Sequence, residues 1–250
     1  MTATDLAALH PPGAIRAWVS SADSNVEIFN HSITVDLDWW NSSLSYRGLP
    51  GGPITGMSAT GTLVDSGESV ITRGHVFTCA TGAADDPESA LRLLWHALAW
   101  GSGPRYRLNH RRMDSIAADL ARASETLSVA ARLSRLIPIE AYRCLYPDDH
   151  TLIGSLGPAF FTKYLYFAGG GNADHPCLIL DSRVAASLGR AGWTSLNPGG
   201  AWPATTYGRY VDLLARWRHE LTDEKGHAPR GDLIERWLFD NHPAEVDDEQ

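Results

Sequence analysis

The sequence predicts a mainly α-helical protein, and two observations support this. From residue 86 onward, apolar residues recur every three or four positions, which is the spacing of amphipathic helices. Alternation with a period of two, which is typical of strands, is rare. With 250 residues, 44% hydrophobic and 20% charged, the composition is that of a globular protein. We therefore expect one large domain or two helical lobes around separate cores.

The first 85 residues are predicted to be irregular and to pack on the helices that follow. The stretch GLPGGPITGMSATG at 48–61 is dense in glycine and proline, which favours a loop. The stretch SVITRGHVF at 69–77 fits either a short strand or the start of a helix. Residues 1–85 therefore form an N-terminal region distinct from a helical domain at 86–242.

The first predicted helix has signals at both ends. Asp86 is a candidate N-cap, Pro87 stands in the first turn, where proline is tolerated, and Gly101 is a candidate stop. The next segment, an Ala/Leu-rich stretch at 113–137, predicts one long helix or a pair of helices, and Pro138 ends it.

Two shorter helices are predicted next. Residues 139–146 form a helix that Pro147 ends. Asp148 or Asp149 then caps a short helix that runs through Ile153.

A tight hairpin is predicted after these helices, punctuated by Gly154 and Gly157. Pro158 occupies the first position of a new helix, where its missing N–H costs nothing. After a glycine-rich loop, the apolar run CLIL at 177–180 leads to Asp181, where another helix begins. The order is therefore helix, hairpin, helix, followed by a strand-like run that enters a further helix.

The C-terminal part predicts an amphipathic helix at 202–221 and a last helix at 229–242. The tail at 243–250 carries four acidic residues and is predicted to be a solvated end.

The net charge and the length of the apolar runs limit the kinds of partner that this protein can have. The formal net charge of −8 counts against non-specific nucleic-acid binding, which depends on neutralising phosphates. No apolar run is long enough to cross a bilayer and no basic leader opens the chain, so we expect a cytoplasmic protein without a membrane partner. The cysteines are too few and too far apart for a disulfide framework or a metal clip, and the histidines have no metal-ligand spacing, so no metal site is predicted. The cysteines are Cys79, Cys144 and Cys177.

One stretch, GPRYRLNHRR at 103–112, is a concentrated basic patch with no acid inside it. It either contacts phosphates or pairs with acids elsewhere in the fold. Its arginines are Arg105, Arg107, Arg111 and Arg112.

Two charged residues occupy unusual surroundings. Lys163 stands in LGPAFFTKYLYFAGG, residues 156–170, among several aromatic side chains. Because an unpaired buried ammonium is costly, this lysine either extends to solvent past its neighbours or is an amine placed to react. Asp181 is either the N-cap of its helix or a carboxylate held beside a reacting carbon, and the two roles are compatible.

These stretches resemble a known family. The segment 148–188, with its hairpin GSLGP, its lysine-bearing helix and its apolar run ending in aspartate, resembles the helix-hairpin-helix DNA glycosylase superfamily. The phrase LGPAFFTKYLYFAG…LILDSRVA, together with LAWGSG at 98–103, is more closely similar to bacterial 8-oxoguanine DNA glycosylase-like proteins. The resemblance covers 150–188 well and 70–240 loosely, and the first 70 residues carry none.

The resemblance implies a two-lobed helix-hairpin-helix glycosylase fold and a base-excision activity. The substrate would be a damaged purine such as 8-oxoguanine in double-stranded DNA, and the enzyme would act as a monomer. Asp181 would stabilise the oxocarbenium-like transition state at the sugar C1′, and Lys163 would be the nucleophile that forms a Schiff base. Family members carry the lysine two residues after the second glycine of the hairpin. Counting from Gly157, that position falls on Ala159, one helical turn before Lys163, so water activated by Asp181 alone is the alternative.

The remaining site residues follow from the same resemblance. The hairpin residues Gly154, Ser155 and Gly157 would hold the DNA backbone at a helix N-terminus, often with a monovalent cation, and no other cofactor is expected. Without the resemblance, this hairpin is equally an ordinary corner between helices. An extruded base needs a stacking wall, and we predict Trp100 for it, with Phe160 and Tyr164 in the base pocket.

Two other functions are compatible with these residues. An N-glycosidase acting on a free modified nucleoside or nucleotide, or on modified foreign DNA, would suit the acidic chain. An inactive glycosylase fold retained as a binding module is the non-enzymatic alternative. Salt dependence separates the first two, because duplex binding falls steeply with added salt and binding of a single nucleotide does not.

Overall fold

A computed structural model describes residues 6–104 and 106–242, and the fold is mainly helical, as predicted. The helices are α1 (Gly13–Ser21), α2 (Leu37–Tyr46), α3 (Arg73–Thr78), α4 (Pro87–Ser102), α5 (Asn109–Ala118), α6 (Leu120–Ser134), α7 (Pro138–Leu145), α8 (Pro158–Phe167), α9 (Ser182–Ala191), α10 (Ala204–Glu220) and α11 (Gly231–Asp240). The strands are β1 (Ser32–Asp36), β2 (Gly56–Met57), β3 (Leu63–Val64) and β4 (Glu68–Thr72). A π-helical turn spans Asn25–Phe29 and a 3₁₀ turn spans Pro147–Asp149.

The N-terminal region is more regular than predicted. Its four strands form an antiparallel sheet in the order β1-β4-β2-β3, with Ser32 opposite Thr72 and Asp36 opposite Glu68. The stretch 69–77 contains both of the structures that its sequence allows, because β4 leads directly into α3. The Thr72 hydroxyl accepts a hydrogen bond from the His75 N–H at 3.0 Å and so caps that helix. The strands have at most five residues, which is too short for a convincing period of two.

Helix α4 begins as predicted and ends slightly later. The Asp86 carboxylate accepts a hydrogen bond from the Ser89 N–H at 2.8 Å. The helix passes through Gly101, the predicted stop, and ends at Ser102, where Gly103 has a φ of +56°. The Ala/Leu-rich segment is a pair of helices, because Asp119 breaks it and its carboxylate caps α6. The first of the pair, α5, begins at Asn109, earlier than the predicted residue 113.

The segment just before the hairpin differs from the prediction. No helix runs from Asp148 or Asp149 to Ile153. Both aspartates have positive φ, +50° and +61°, and an α-helix of L-residues does not accommodate that conformation. After this turn the chain forms the predicted hairpin, and α8 begins at Pro158 as expected.

The helices fall into two groups. In the first, α6 packs on α4 and α7, and α8 packs on α4. In the second, α11 packs on α1, α9 and α10, and the contact of α10 with α7 is one link between the groups. Their buried apolar side chains form one continuous cluster, which agrees with one large domain, the first of the two predicted arrangements. None of the described helices combines the length and the apolar character that crossing a bilayer requires.

Candidate active site

A cleft of about 750 Å³ lies between the two helix groups, within the size range of small-molecule sites. Its walls come from the end of α4 and the loop after it, the first turns of α8 and α9, the loop 198–202 and the exposed side of α11. Among the described residues that line it, six are cationic and three are acidic, although the whole chain has a net charge of −8. The cleft is therefore the place where positive charge concentrates.

Lys163 and Asp181 meet in this cleft. The Lys163 Nζ lies 3.5 Å from the Asp181 Oδ2 and donates a hydrogen bond to the Ala159 carbonyl at 2.8 Å. The two residues are only 7% and 2% exposed. Lys163 is therefore neither a surface lysine nor an unpaired one, and it forms a buried ion pair within the wall of an open cleft.

Asp181 uses its two carboxylate oxygens differently. Oδ1 accepts a hydrogen bond from the Val184 N–H at 3.1 Å and caps α9, whereas Oδ2 faces Lys163. The capping role thus belongs to Oδ1, and the proposed role beside a reacting carbon belongs to Oδ2. Capping fixes the side-chain rotamer, so that the second oxygen stays directed at the cleft.

The run before Asp181 is anchored on two sides. The Tyr207 and Tyr210 hydroxyls donate to the carbonyls of Leu178 and Ile179 at 3.0 and 2.6 Å. On the α8 side, the Thr162 hydroxyl accepts a hydrogen bond from the Leu180 N–H at 3.2 Å. Thr162 precedes Lys163 and Leu180 precedes Asp181, so this bond holds the two charged residues together.

The Lys163 side chain leans toward the N-terminus of α8, as helical side chains do. Its amine therefore lies beside the Ala159 carbonyl, one turn back along the helix, and both residues line the cleft.

Gly101 makes room for this lysine. A Cβ atom built on Gly101 would lie 2.8 Å from the Lys163 Cδ and 3.3 Å from its Cε. The glycine of LAWGSG, predicted to stop a helix, instead allows α4 to pass close to the lysine stem.

The predicted phosphate-binding hairpin lies outside the cleft lining. The Gly154 N–H donates to the Ser115 hydroxyl at 2.7 Å, so this N–H is already bonded within the protein. Ser155 has a φ of +63° and its carbonyl accepts a hydrogen bond from the Arg112 Nε at 2.8 Å. A Cβ on Gly157 would meet nothing within 4 Å. A role of this hairpin in holding DNA stays a prediction.

The basic patch is divided by the fold. Arg107 is exposed and lines the cleft, and Arg111 is exposed elsewhere on α5. Arg105 lies outside the described residues. Arg112, which was grouped with them, is 2% exposed and its guanidinium lies 3.7 Å from the centre of the Phe160 ring. Burial lowers the Arg112 pKa to about 10. With its bond to the hairpin, Arg112 joins α5 to α8 and does not present a free cation to phosphates.

Two of the three residues predicted for a base pocket line the cleft, and the pocket itself stays a prediction. Trp100 and Phe160 both line the cleft. Trp100 packs edge-on against Phe167, with ring centres 5.3 Å apart, and its orientation is therefore fixed. Tyr164 is fully buried, its hydroxyl donates to the Leu127 carbonyl at 2.8 Å, and it does not line the cleft. One helical position from the lysine, Tyr164 points away from the site into the core.

Sequence reasoning missed the floor of the cleft, which comes from the N-terminal region and α11. Arg73 and Glu235 form an ion pair at 3.0 Å, with side chains each 1% exposed. The Arg73 guanidinium lies 5.0 Å from the Trp100 ring centre. His31 accepts a hydrogen bond from Arg236 at 3.2 Å. Burial is the main cause that lowers the His31 pKa to about 3, and the charges of Arg73 and Arg236 contribute as well. Arg73 and Glu235 are 162 positions apart in the sequence, so no local sequence pattern predicts their ion pair.

One group of potential metal ligands occurs away from the cleft among the described residues: His75, Cys79 and His96, with ligand atoms within 4.8 Å of one another. Both nitrogens of His96 already have backbone partners. Nδ1 bonds to the Arg92 carbonyl at 2.8 Å, and Nε2 accepts the Thr55 N–H at 3.1 Å. These bonds account for His96 as a structural residue.

Comparison with known proteins gives one match. The family model described as "Putative 8-oxoguanine DNA glycosylase OGG-like protein" matches residues 26–239. Searches of curated proteins and of solved structures returned no match. The match confirms the resemblance found in the sequence and extends it, because it begins at residue 26 and includes the β-sheet region that had shown no likeness.

Proposed function

Since the chain belongs to the OGG-like family of 8-oxoguanine DNA glycosylase-like proteins, we propose that it excises an oxidised purine such as 8-oxoguanine from double-stranded DNA. The observation that carries the proposal is the buried Lys163–Asp181 pair in the wall of the cleft. A carboxylate can stabilise the charge that develops when an N-glycosidic bond breaks, and an amine beside it can serve as the nucleophile of a covalent route.

The proposed chemistry uses each group at a stated atom. As the bond between the sugar C1′ and the base nitrogen breaks, its electron pair leaves with the base and positive charge develops at C1′. The Lys163 ammonium first passes a proton to Asp181 Oδ2, which lies 3.5 Å from Nζ. Asp181 gives this proton to the departing base, and its carboxylate, charged again, stabilises the positive charge at C1′. The electron pair freed on Lys163 Nζ forms the new bond to C1′. The C1′–O4′ bond then breaks, a proton moves from Nζ to O4′, and a second bond between C1′ and Nζ completes the Schiff base.

The water-dependent alternative uses the same cleft. Asp181 then removes a proton from a water molecule that attacks C1′, and Lys163 positions the carboxylate through the ion pair. The two mechanisms differ in one product, because only the amine leaves a covalent protein–DNA intermediate that borohydride reduces and traps.

The charge around the cleft supports DNA as the substrate. Its cationic lining residues outnumber its acidic ones in a chain that is acidic overall. Arg107 is exposed at this surface, where a phosphate can reach it.

The test compares wild type, K163Q and D181N on a duplex containing 8-oxoguanine, with and without sodium borohydride. We expect D181N to lower base release by about 10²–10³-fold, because it removes the charge that stabilises the transition state. Asparagine caps helices about as well as aspartate, so D181N keeps the cap of α9 and isolates the electrostatic role. We expect a trapped adduct with wild type and none with K163Q.

Each outcome decides between mechanisms. Base release that requires Asp181 without any trapped adduct indicates the water-dependent route. Full activity in D181N contradicts the proposed role of this residue. The absence of both release and adduct with wild-type protein contradicts the proposed function. Circular dichroism melts of the three proteins check that each is folded.

A further inference from the structure

We propose that Leu108 enters the base stack of the duplex and fills the space that the extruded base vacates. This inference rests on the proposed function, since a stack-filling residue is needed only if the substrate base leaves a duplex. Apolar side chains inserted between base steps are a known means of unstacking DNA. Leu108 meets the requirements for that role by its place, its exposure and its backbone conformation.

Leu108 lies on the rim of the cleft. It is 36% exposed, and it lines the same cleft as Lys163 and Asp181. Its neighbour Arg107 is exposed beside it and lines the cleft as well. A phosphate held by the arginine would therefore bring the base stack to the leucine.

The backbone of Leu108 is in the left-handed region, with φ +67° and ψ −7°. Five described non-glycine residues have positive φ, and Leu108 is the one among them with a large apolar side chain. That conformation disfavours a bulky L-residue, and glycine would adopt it freely. Strained residues of this kind concentrate at functional sites, where the surrounding structure enforces them.

The surrounding structure does enforce it. On one side, the Tyr106 ring stacks on Trp39 with ring centres 4.1 Å apart. On the other, Asn109 is fully buried and its side chain donates to the Ser102 hydroxyl at 3.0 Å. The Leu108 carbonyl accepts the Arg112 N–H at 3.0 Å. These contacts fix the neighbours of Leu108, and the fixed neighbours hold its side chain at the surface.

The other exposed apolar residues differ in place. Leu136 is 78% exposed in the turn between α6 and α7 and does not line the cleft. It therefore provides a matched control, being the same side chain with more exposure and no relation to the site.

The experiment measures base extrusion and base release on one substrate. The duplex carries 8-oxoguanine next to 2-aminopurine, whose fluorescence rises when its neighbour unstacks. Wild type, L108A, L108G and L136A are compared. Two truncations are used because glycine accepts the left-handed backbone without strain, so a loss shared by both belongs to the missing side chain.

We expect wild type and L136A to raise the fluorescence and to release base at equal rates. We expect L108A and L108G to lose the fluorescence rise and to release base roughly tenfold more slowly, since the side chain no longer offsets the cost of unstacking. Thermal melts confirm that the variants are folded.

Three results would overturn the inference. If the variants raise fluorescence as wild type does, Leu108 does not fill the stack, whether or not the protein releases a base. If they extrude the base but fail to release it, Leu108 acts in the pocket and not in the duplex. If wild type neither extrudes nor releases 8-oxoguanine, the proposed function fails and the inference fails with it.

Discussion

At the scale of the residue, His96 shows how burial favours a neutral imidazole. His96 is 1% exposed and has backbone partners at both ring nitrogens, which suit only the neutral imidazole with its proton on Nδ1. Burial lowers its pKa from the ordinary 6.5 to about 4. The imidazole thus links α4 to the loop that carries Thr55 only while it stays neutral.

This pKa shift makes stability depend on pH. As the pH falls below 6.5, the unfolded chain takes up the proton before the folded protein does, so His96 destabilises the fold progressively between pH 6.5 and pH 4. At pH 5 the contribution lost through His96 is about 2 kcal/mol. Urea unfolding of wild type and H96Q from pH 7.5 to 5 measures it. The slope of stability against pH should be smaller in H96Q, and identical slopes would show that His96 does not titrate in this range.

At the scale of the element, the close approach of α4 to α8 sets the position of the reactive amine. We predict that G101A lowers base release by about 10²-fold while the fold persists, because the new Cβ, 2.8 Å from the Lys163 Cδ, displaces the lysine. Alanine also favours the helix over glycine by up to about 1 kcal/mol, which offsets part of the crowding. Single-turnover base release and a thermal melt, measured on the same preparation, check both parts.

The matched control for this change is G189A. Gly189 lies within α9, and a Cβ there would meet nothing within 4 Å. G189A should therefore stabilise the protein by about 0.5–1 kcal/mol and leave base release unchanged. Equal activity in G101A and wild type would contradict the steric role assigned to Gly101.

At the scale of the whole molecule, the buried Arg73–Glu235 pair joins the β4–α3 junction to α11 across the floor of the cleft. Tyr166 on α8 also accepts a hydrogen bond from the Arg73 guanidinium at 3.3 Å, so three parts of the chain meet at this arginine. Burial raises the Glu235 pKa, and the positive charge of Arg73 opposes that shift. The Arg73 guanidinium thus favours the charged form of Glu235.

We predict that E235Q destabilises the fold by roughly 3–5 kcal/mol, because it leaves the Arg73 charge buried without its counter-ion. The double variant R73M/E235L should lose less stability than E235Q, since no isolated charge remains inside. The exposed Arg143–Glu140 pair provides the control, and E140Q should change stability by no more than about 0.5 kcal/mol. Urea unfolding measures all three, and an E235Q protein as stable as wild type would contradict this role of the pair.

The sequence by itself determined the features whose partners are local. The caps at Asp86 and Asp181 and the start of α8 at Pro158 follow from residues three or four positions away, so a short stretch contains all the information. The family match covers residues 26–239, a range that includes the lysine-bearing helix and this aspartate. The turn before the hairpin escaped prediction because Asp148 and Asp149 adopt positive φ, which residue type alone does not specify.

Only the tertiary structure decided the surroundings of those residues. Tyr164, predicted for the base pocket, faces the core beside Leu127, and Arg112, predicted for phosphates, is buried under Phe160. The ion pair across the cleft floor joins residues 162 positions apart. Burial and long-range pairing depend on the path of the whole chain, and a residue's type and near neighbours do not encode that path. For this reason the sequence indicated candidate groups for the chemistry, and the fold decided which of them face the cleft.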